Sequence, residues 1–95
     1  MTTQKELVKK WQDKVDESKS DGQMLFAVQA HSNFTIIRDN TPEKALEKLK
    51  EQYKKYGDMG IAMFIKEGMD DLEKLIKWDS SGLNKNYKRQ QITEF

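Results

Sequence analysis

Lysines interleaved with tyrosines are the residues of this chain whose type and spacing best suit a chemical task, which is contact with a polyanion. They fall at residues 41–56 and 84–95, and each segment has a net charge of +2. Ammonium groups neutralise phosphates, and tyrosine rings stack on unpaired bases. Lysine greatly outnumbers arginine, the usual reader of base edges in the major groove, so the pattern favours single-stranded or structured RNA. The candidate nucleic-acid-binding residues are Lys44, Lys48, Lys54, Lys55, Tyr56, Lys85, Tyr87, Lys88 and Arg89.

Ordinary ion pairing on a helix surface is the alternative interpretation of the first basic segment. Glu51 precedes Lys54 and Lys55 by three and four residues, and Glu47 precedes Lys50 by three. Carboxylates and ammonium groups at these spacings are neighbours on a helix. No acid lies between Lys85 and Arg89, so this alternative is weaker for the C-terminal segment. Residues 57–83 have a net charge of −3, which predicts an acidic side opposite the basic one.

No residue pattern indicates catalysis, a metal site or a cofactor. His31 is the only histidine and is followed by Ser32, but no glycine-rich elbow or orienting acid accompanies them, as a nucleophile and base would require. The chain has no cysteine and no phosphate-binding, dinucleotide-binding or zinc signature. Two acidic groups are explained as solvated acids and helix-start charges: Asp13, Asp16 and Glu17, and Asp70, Asp71 and Glu73. We therefore expect no enzyme, no metal and no cofactor.

The hydrophobic period changes at Thr41-Pro42. Before this point the apolar residues fall at every second position, as in a strand with one face on a core: Met24, Phe26, Val28 and Ala30, then Phe34 and Ile36. The polar residues 31–33 predict a hairpin turn between strands at about 23–30 and 34–38. A third strand, buried on both faces, is predicted at about 59–66. An exposed edge strand would be a route for pairing with another protein.

Three helices are predicted around these strands. The first begins at Thr3, which forms a capping box with Glu6, and ends near Gly22. The second spans Pro42 to about Tyr56, with Thr41 as its N-cap and Leu49 on its buried stripe. The third opens at Asp70 and Asp71 and stops at about residues 79–82.

The predicted fold is therefore a single small α+β domain at residues 1–82, followed by a basic and mobile C-terminal tail at residues 83–95. The order of elements is α-β-β-α-β-α, with a three-stranded sheet made of the hairpin and one further strand. Neither a signal peptide nor a membrane span is indicated, and a cytoplasmic location is the expected default. A chain of 95 residues has little core to spare for a deep pocket.

The whole chain resembles, in style, the small early or accessory proteins of large tailed phages. Its size, its lack of cysteine and a Lys- and Asn-rich stretch such as NKNYKRQQ at residues 84–91 carry this resemblance. Some of those phage proteins inhibit host restriction, toxin or signalling enzymes, so the resemblance implies a stoichiometric inhibitor or adaptor. The resemblance assigns no function to any particular residue of this chain.

Taken together, we expect a non-enzymatic interaction protein that binds and modulates RNA, an RNA-containing complex or a host protein. Two alternatives stay open. One is a protein-only inhibitor or oligomeric adaptor that acts through an edge strand and C-terminal apolar residues. The other is a small-ligand sequestering protein built as a homo-oligomer. No membrane partner is expected.

Overall fold

The computed structural model describes residues 3–80, and these residues form four α-helices. They are α1 (Gln4–Ser20), α2 (Met24–Asp39), α3 (Pro42–Tyr56) and α4 (Ala62–Ser80). The described residues contain no strand, so the predicted α+β class, its three-stranded sheet and its α-β-β-α-β-α order are wrong. The domain boundary predicted at residues 82 and 83 and the C-terminal tail lie outside the described residues.

Capping residues set the ends of α1 and α3 where the sequence predicts them. The Thr3 Oγ1 accepts the Glu6 backbone N–H at 3.2 Å, and the Thr41 Oγ1 accepts the Lys44 N–H at 3.3 Å. Each hydroxyl thus satisfies a helix N–H that has no partner within the helix. Gly22, with φ of +73°, follows the last turn of α1 in the left-handed conformation that glycine adopts without strain.

The predicted hairpin at residues 24–37 is instead the single helix α2. Its core-facing side chains recur every three or four residues: Phe26 and Ala27, Ala30, Asn33 and Phe34, Ile37. The predicted core residue Val28 is 66% exposed, whereas Phe34 and Ile36 pack against the core from half-buried positions. Residues 31–33, predicted as a turn, lie within the helix, and the Thr35 Oγ1 donates to the His31 carbonyl at 3.0 Å. The alternating apolar residues therefore lie partly on the core-facing side and partly on the solvent-facing side of one helix.

The predicted strand at residues 59–66 is also wrong, because α4 begins at Ala62 and not at the predicted Asp70. Gly68 is a buried residue within this helix. A Cβ at Gly68 would lie 3.0 Å from the Leu49 Cδ1 and 3.1 Å from the Asn33 Nδ2. The glycine thus permits α4 to approach α2 and α3 closely, and it does not end the helix.

The helices form two antiparallel hairpins, α1 with α2 and α3 with α4, and α2 also packs against both helices of the second hairpin. The Gln4 Nε2 ties the start of α1 to the end of α2, donating to the Ile37 and Asn40 carbonyls at 3.0 and 2.8 Å. All four helices contribute to one apolar core, whose fully buried side chains include Trp11, Ile37, Leu49, Ile65 and Leu72.

None of the four helices found between residues 3 and 80 has both the length and the apolar character needed to cross a membrane.

Candidate binding groove between the second and third helices

The predicted basic residues of α3 divide between two flanks of that helix. Lys48 and Lys55, seven residues apart, lie on the flank that faces α2, and Lys44 lies one turn before Lys48 on the same flank. Lys54 falls on the other flank with Lys50, four residues before it. The structure thus brings three of the four predicted lysines of α3 together.

A groove of about 300 Å³ runs between α2 and α3 along this flank. Its lining combines two cations, one acid, an amide, an aromatic ring and one aliphatic side chain: Lys48, Lys55, Glu51, Gln52, Tyr56 and Ile36. Tyr56, a predicted stacking residue, is 40% exposed at this groove. Lys85, Tyr87, Lys88 and Arg89, the remaining predicted residues, lie outside the described residues.

Few acids neutralise the lysines of α3. Lys44 and Glu47 form an ion pair within this helix, at 4.0 Å between two well exposed side chains. The pairs expected from spacing, Glu51 with Lys54 or Lys55 and Glu47 with Lys50, are not within 4.0 Å in this part of the chain. Lys48 and Lys55 therefore face the groove without a salt bridge to any described residue, although the Glu51 carboxylate is also present in its lining.

A chain of side-chain amides fixes the floor of the groove. The Gln52 Nε2 donates to the Ser32 Oγ at 3.1 Å, and the Gln52 Oε1 accepts from the Gln29 Nε2 at 3.0 Å. Gln29 also donates to the Asn33 Oδ1 at 2.9 Å, and the Asn33 Nδ2 donates to the Phe64 carbonyl at 3.0 Å. Because these bonds connect α2, α3 and α4 through buried and half-buried groups, the two walls of the groove are held at a fixed separation.

The other residues weighed for chemistry are not arranged for it in the described part of the chain. His31 is exposed, with its ring 5.9 Å from the ring of Phe34, while the neighbouring Ser32 hydroxyl accepts a hydrogen bond from Gln52. No group of three or more metal-ligating side chains is found among residues 3–77. Asp71, one of the acids considered above, forms an ion pair with Lys10.

That ion pair belongs to a cluster between α1 and α4 that the sequence did not indicate. The Lys10 Nζ lies 2.7 Å from Asp71 and 2.9 Å from Glu67, and the Lys14 Nζ lies 3.4 Å from Glu67. Burial raises the pKa of Glu67, but the adjacent lysines outweigh it and the net pKa lies below its ordinary value. For Lys10, burial lowers the pKa, and its hydrogen bonds to the two acids reverse this to a net increase. Since both lysines of the cluster form salt bridges with its acids, the cluster joins α1 to α4 and offers no unpaired charge to a ligand.

A larger depression of about 610 Å³ lies between α3 and α4. Two acids and two lysines line it together with two aliphatic side chains: Asp70, Glu73, Lys74, Lys77, Leu46 and Ile76. Its charges balance, so it offers no electrostatic preference for an anion or a cation.

Comparison of the chain with models of known protein families, with characterised proteins and with solved structures found no match. The geometry and charge of the α2–α3 groove are therefore the observations from which a function has to be argued.

Proposed function

We propose that this protein is a non-enzymatic binding protein that holds single-stranded RNA, or the RNA of a ribonucleoprotein, in the groove between α2 and α3. The observation that carries the proposal is the arrangement of Lys48, Lys55 and the exposed Tyr56 ring around one groove. Neither lysine forms a salt bridge with another residue of the described part of the chain. Cations for the phosphates and a ring for a base are the two components of sequence-tolerant binding to a single strand.

The spacing of the cations suits an extended strand. The α3 helix rises about 1.5 Å per residue, so Lys44, Lys48 and Lys55 are spread over roughly 16 Å along one flank of the helix, and the last two of them line the groove. Glu51 lies between the second and third of these lysines and repels phosphate. The groove therefore favours two separate phosphate contacts, with a base stacked on Tyr56 beside the second of them, and modest affinity, over a continuous basic track.

Two double variants of the full chain test the proposal, since they remove the same charge from opposite flanks of one helix. Lys48→Gln with Lys55→Gln removes the cations of the groove, and Lys50→Gln with Lys54→Gln is the matched control. Binding to a fluorescent uridine-rich RNA of about twelve nucleotides is followed by anisotropy at several salt concentrations. Each lost phosphate contact on a single strand lowers the slope of log K against log salt by about 0.7, so the groove variant is expected to lose about 1.4.

The control variant is expected to keep the parent slope. Equal losses in both variants would show diffuse attraction to α3 and would contradict a groove. A parent protein that does not bind the RNA at low salt would refute the proposal. Tyr56→Ala is expected to weaken binding at every salt concentration, by about 1 to 3 kcal/mol for one lost base stack, whereas Tyr53→Ala on the other flank is not.

A protein-only inhibitor or adaptor is the second candidate, and the exposed apolar side chains at the start of α2 favour it. Met24, Leu25 and Val28 are each about two-thirds exposed. Contiguous apolar surface of this kind is typical of contacts between proteins. The edge-strand route expected from the sequence is wrong for the described residues, because they contain no strand. The phage-type inhibitor that the overall style of the chain implies is compatible with the RNA-binding candidate as well as with this one.

A further inference from the structure

The solvent-facing side of α2 is free of formal charge. Residues 24–37 contain no lysine, arginine, aspartate or glutamate. In the whole chain these four residue types make up 35% of the residues. The first charged side chains of α2 are Arg38 and Asp39, and they pair with each other at 2.7 Å. The helices α1, α3 and α4 carry charges of both signs. A neutral outer face is therefore specific to α2 among the described helices.

This neutral face begins with the most apolar exposed surface of the described residues. Met24, Leu25 and Val28 are 60, 68 and 66% exposed, and their spacing of three and four residues places them side by side. The same face continues through the exposed His31 to the half-buried Ser32 and Thr35. It extends over roughly 17 Å of helix, and two of its three side chains beyond Val28, those of Ser32 and Thr35, are small.

The absence of charge decides which kind of partner fits. Phosphate polymers and anionic membrane surfaces are both bound by lysine and arginine, and this face has neither. A surface from another protein has to be neutral and apolar as well, because a charge buried against the face would have no partner. The same face of a second copy satisfies this requirement, since a twofold axis places neutral residues opposite neutral residues.

We infer that the protein forms a homodimer in which the α2 helices of two copies pack antiparallel about a twofold axis near Val28. In this register Met24 of one copy faces Ser32 of the other, and Leu25 faces His31. The exposed area is small beside the roughly 800 Å² per partner of a standard stable interface, so the dimer is expected to be weak, with a dissociation constant in the micromolar range. The inference does not depend on RNA binding, because the apolar centre of this face at Met24, Leu25 and Val28 is separate from the lysine flank of α3. Only Ser32, at the far end of the face, also contacts the groove, through its hydrogen bond from Gln52.

Sedimentation of the full chain tests the inference from about 1 μM to about 1 mM. The parent is expected to shift over this range from 11.2 kDa to twice that mass. Val28→Lys puts like charges opposite each other at the axis and is expected to weaken the dimer at least tenfold. Met63→Lys is the matched control, because Met63 has a similar exposure of 63% but belongs to α4 and not to α2. It is expected to dimerise like the parent, and circular dichroism checks that both variants fold.

A charge-swap experiment tests the twofold register. Val28→Lys and Val28→Glu are each expected to stay monomeric, whereas their equimolar mixture is expected to form a heterodimer that high salt weakens. A parent that remains monomeric throughout overturns the inference and assigns the face to a partner of different sequence. Dimerisation of Val28→Lys at parent strength overturns it by placing the interface elsewhere. A mixture that stays monomeric overturns the antiparallel pairing at Val28.

Discussion

The close approach of α4 to α3 at Gly68 leads to a prediction in which one substitution relieves the damage of another. Leu49 is fully buried, and Leu49→Ala is expected to reduce the free energy of unfolding by about 2 to 4 kcal/mol through lost burial and the cavity left behind. Gly68→Ala places a methyl group 3.0 Å from the Leu49 Cδ1. This overpacking costs about 1 to 3 kcal/mol, offset by about 1 kcal/mol from the better helix propensity of alanine.

The two changes are expected to couple because they act on the same space. With Leu49 shortened, the contact that opposes the methyl group added by Gly68→Ala disappears, and this methyl group occupies part of the cavity. The contact with Asn33, at 3.1 Å from the added Cβ, remains, so the relief is partial. We expect the double variant to be more stable than the sum of the single changes predicts, by about 1 to 2 kcal/mol.

Urea unfolding, followed by circular dichroism in all four proteins of the cycle, measures this coupling. Leu46→Ala provides the control, since Leu46 is a half-buried leucine of the same helix and is not among the atoms nearest to a Cβ at Gly68. Its change is expected to add to that of Gly68→Ala. Additivity within about 0.5 kcal/mol for the Leu49 pair would refute the proposed contact between α3 and α4.

Two further predictions concern the ends and the charges of the helices. Gly22→Ala is expected to lower the free energy of unfolding by about 1 kcal/mol, because φ of +73° strains any residue with a Cβ, and urea unfolding checks it. The stability that Glu67 contributes is expected to be fully present above its ordinary pKa of 4.5 and to disappear as pH falls through the lowered pKa of the folded state. The contribution of Lys10 is present below 10.5 and disappears as pH rises through its raised pKa. Lys10→Met removes the nearer of the two lysine partners of Glu67, so stability should depend less on pH below 4.5 in this variant. An unchanged acid profile would show that the pairing of Lys10 with Glu67 contributes nothing to stability.

The sequence predicted two of the four helices well, because their ends depend on local chemistry. Thr41, Pro42 and Gly57 mark the bounds of α3, and Thr3 and Gly22 mark those of α1. Such signals act within a few residues and need no knowledge of the fold. The burial of Leu49 on the inner stripe of α3 is likewise confirmed.

The helix α2 was missed because two of its buried positions are polar. Gln29 and Asn33 occupy the core-facing side, where a helical pattern needs apolar residues, and Val28 and Met24 occupy the solvent side. The apolar residues then match the two-residue period of a strand better than the roughly 3.6-residue period of the helix that they form. Only the partners of the amides, Gln52 and the Phe64 carbonyl, explain their burial, and these partners are distant in sequence.

The candidate groove was predicted in part. Lysines and a tyrosine at the end of α3 were identified from residue type, and Lys48, Lys55 and Tyr56 do share the groove. Sequence spacing could not separate Lys54 from them without knowing which flank of α3 meets α2. The opposite wall, contributed by Ile36, was assigned to a strand and could not be placed.

The hydrogen-bonded amides beneath the groove limit the ways in which the four helices can pack. A four-helix core of leucine, isoleucine and alanine can be assembled with the second hairpin on either side of the first, at little difference in apolar burial. The amides of Gln29, Asn33 and Gln52 remove this ambiguity, because a mirror arrangement or a shift of one turn would bury them without partners. Replacing all three by leucine would therefore be expected to keep the protein helical while allowing more than one packing of the hairpins. The buried polar residues that hide the helical period of α2 in the sequence therefore also specify which helices pack against each other.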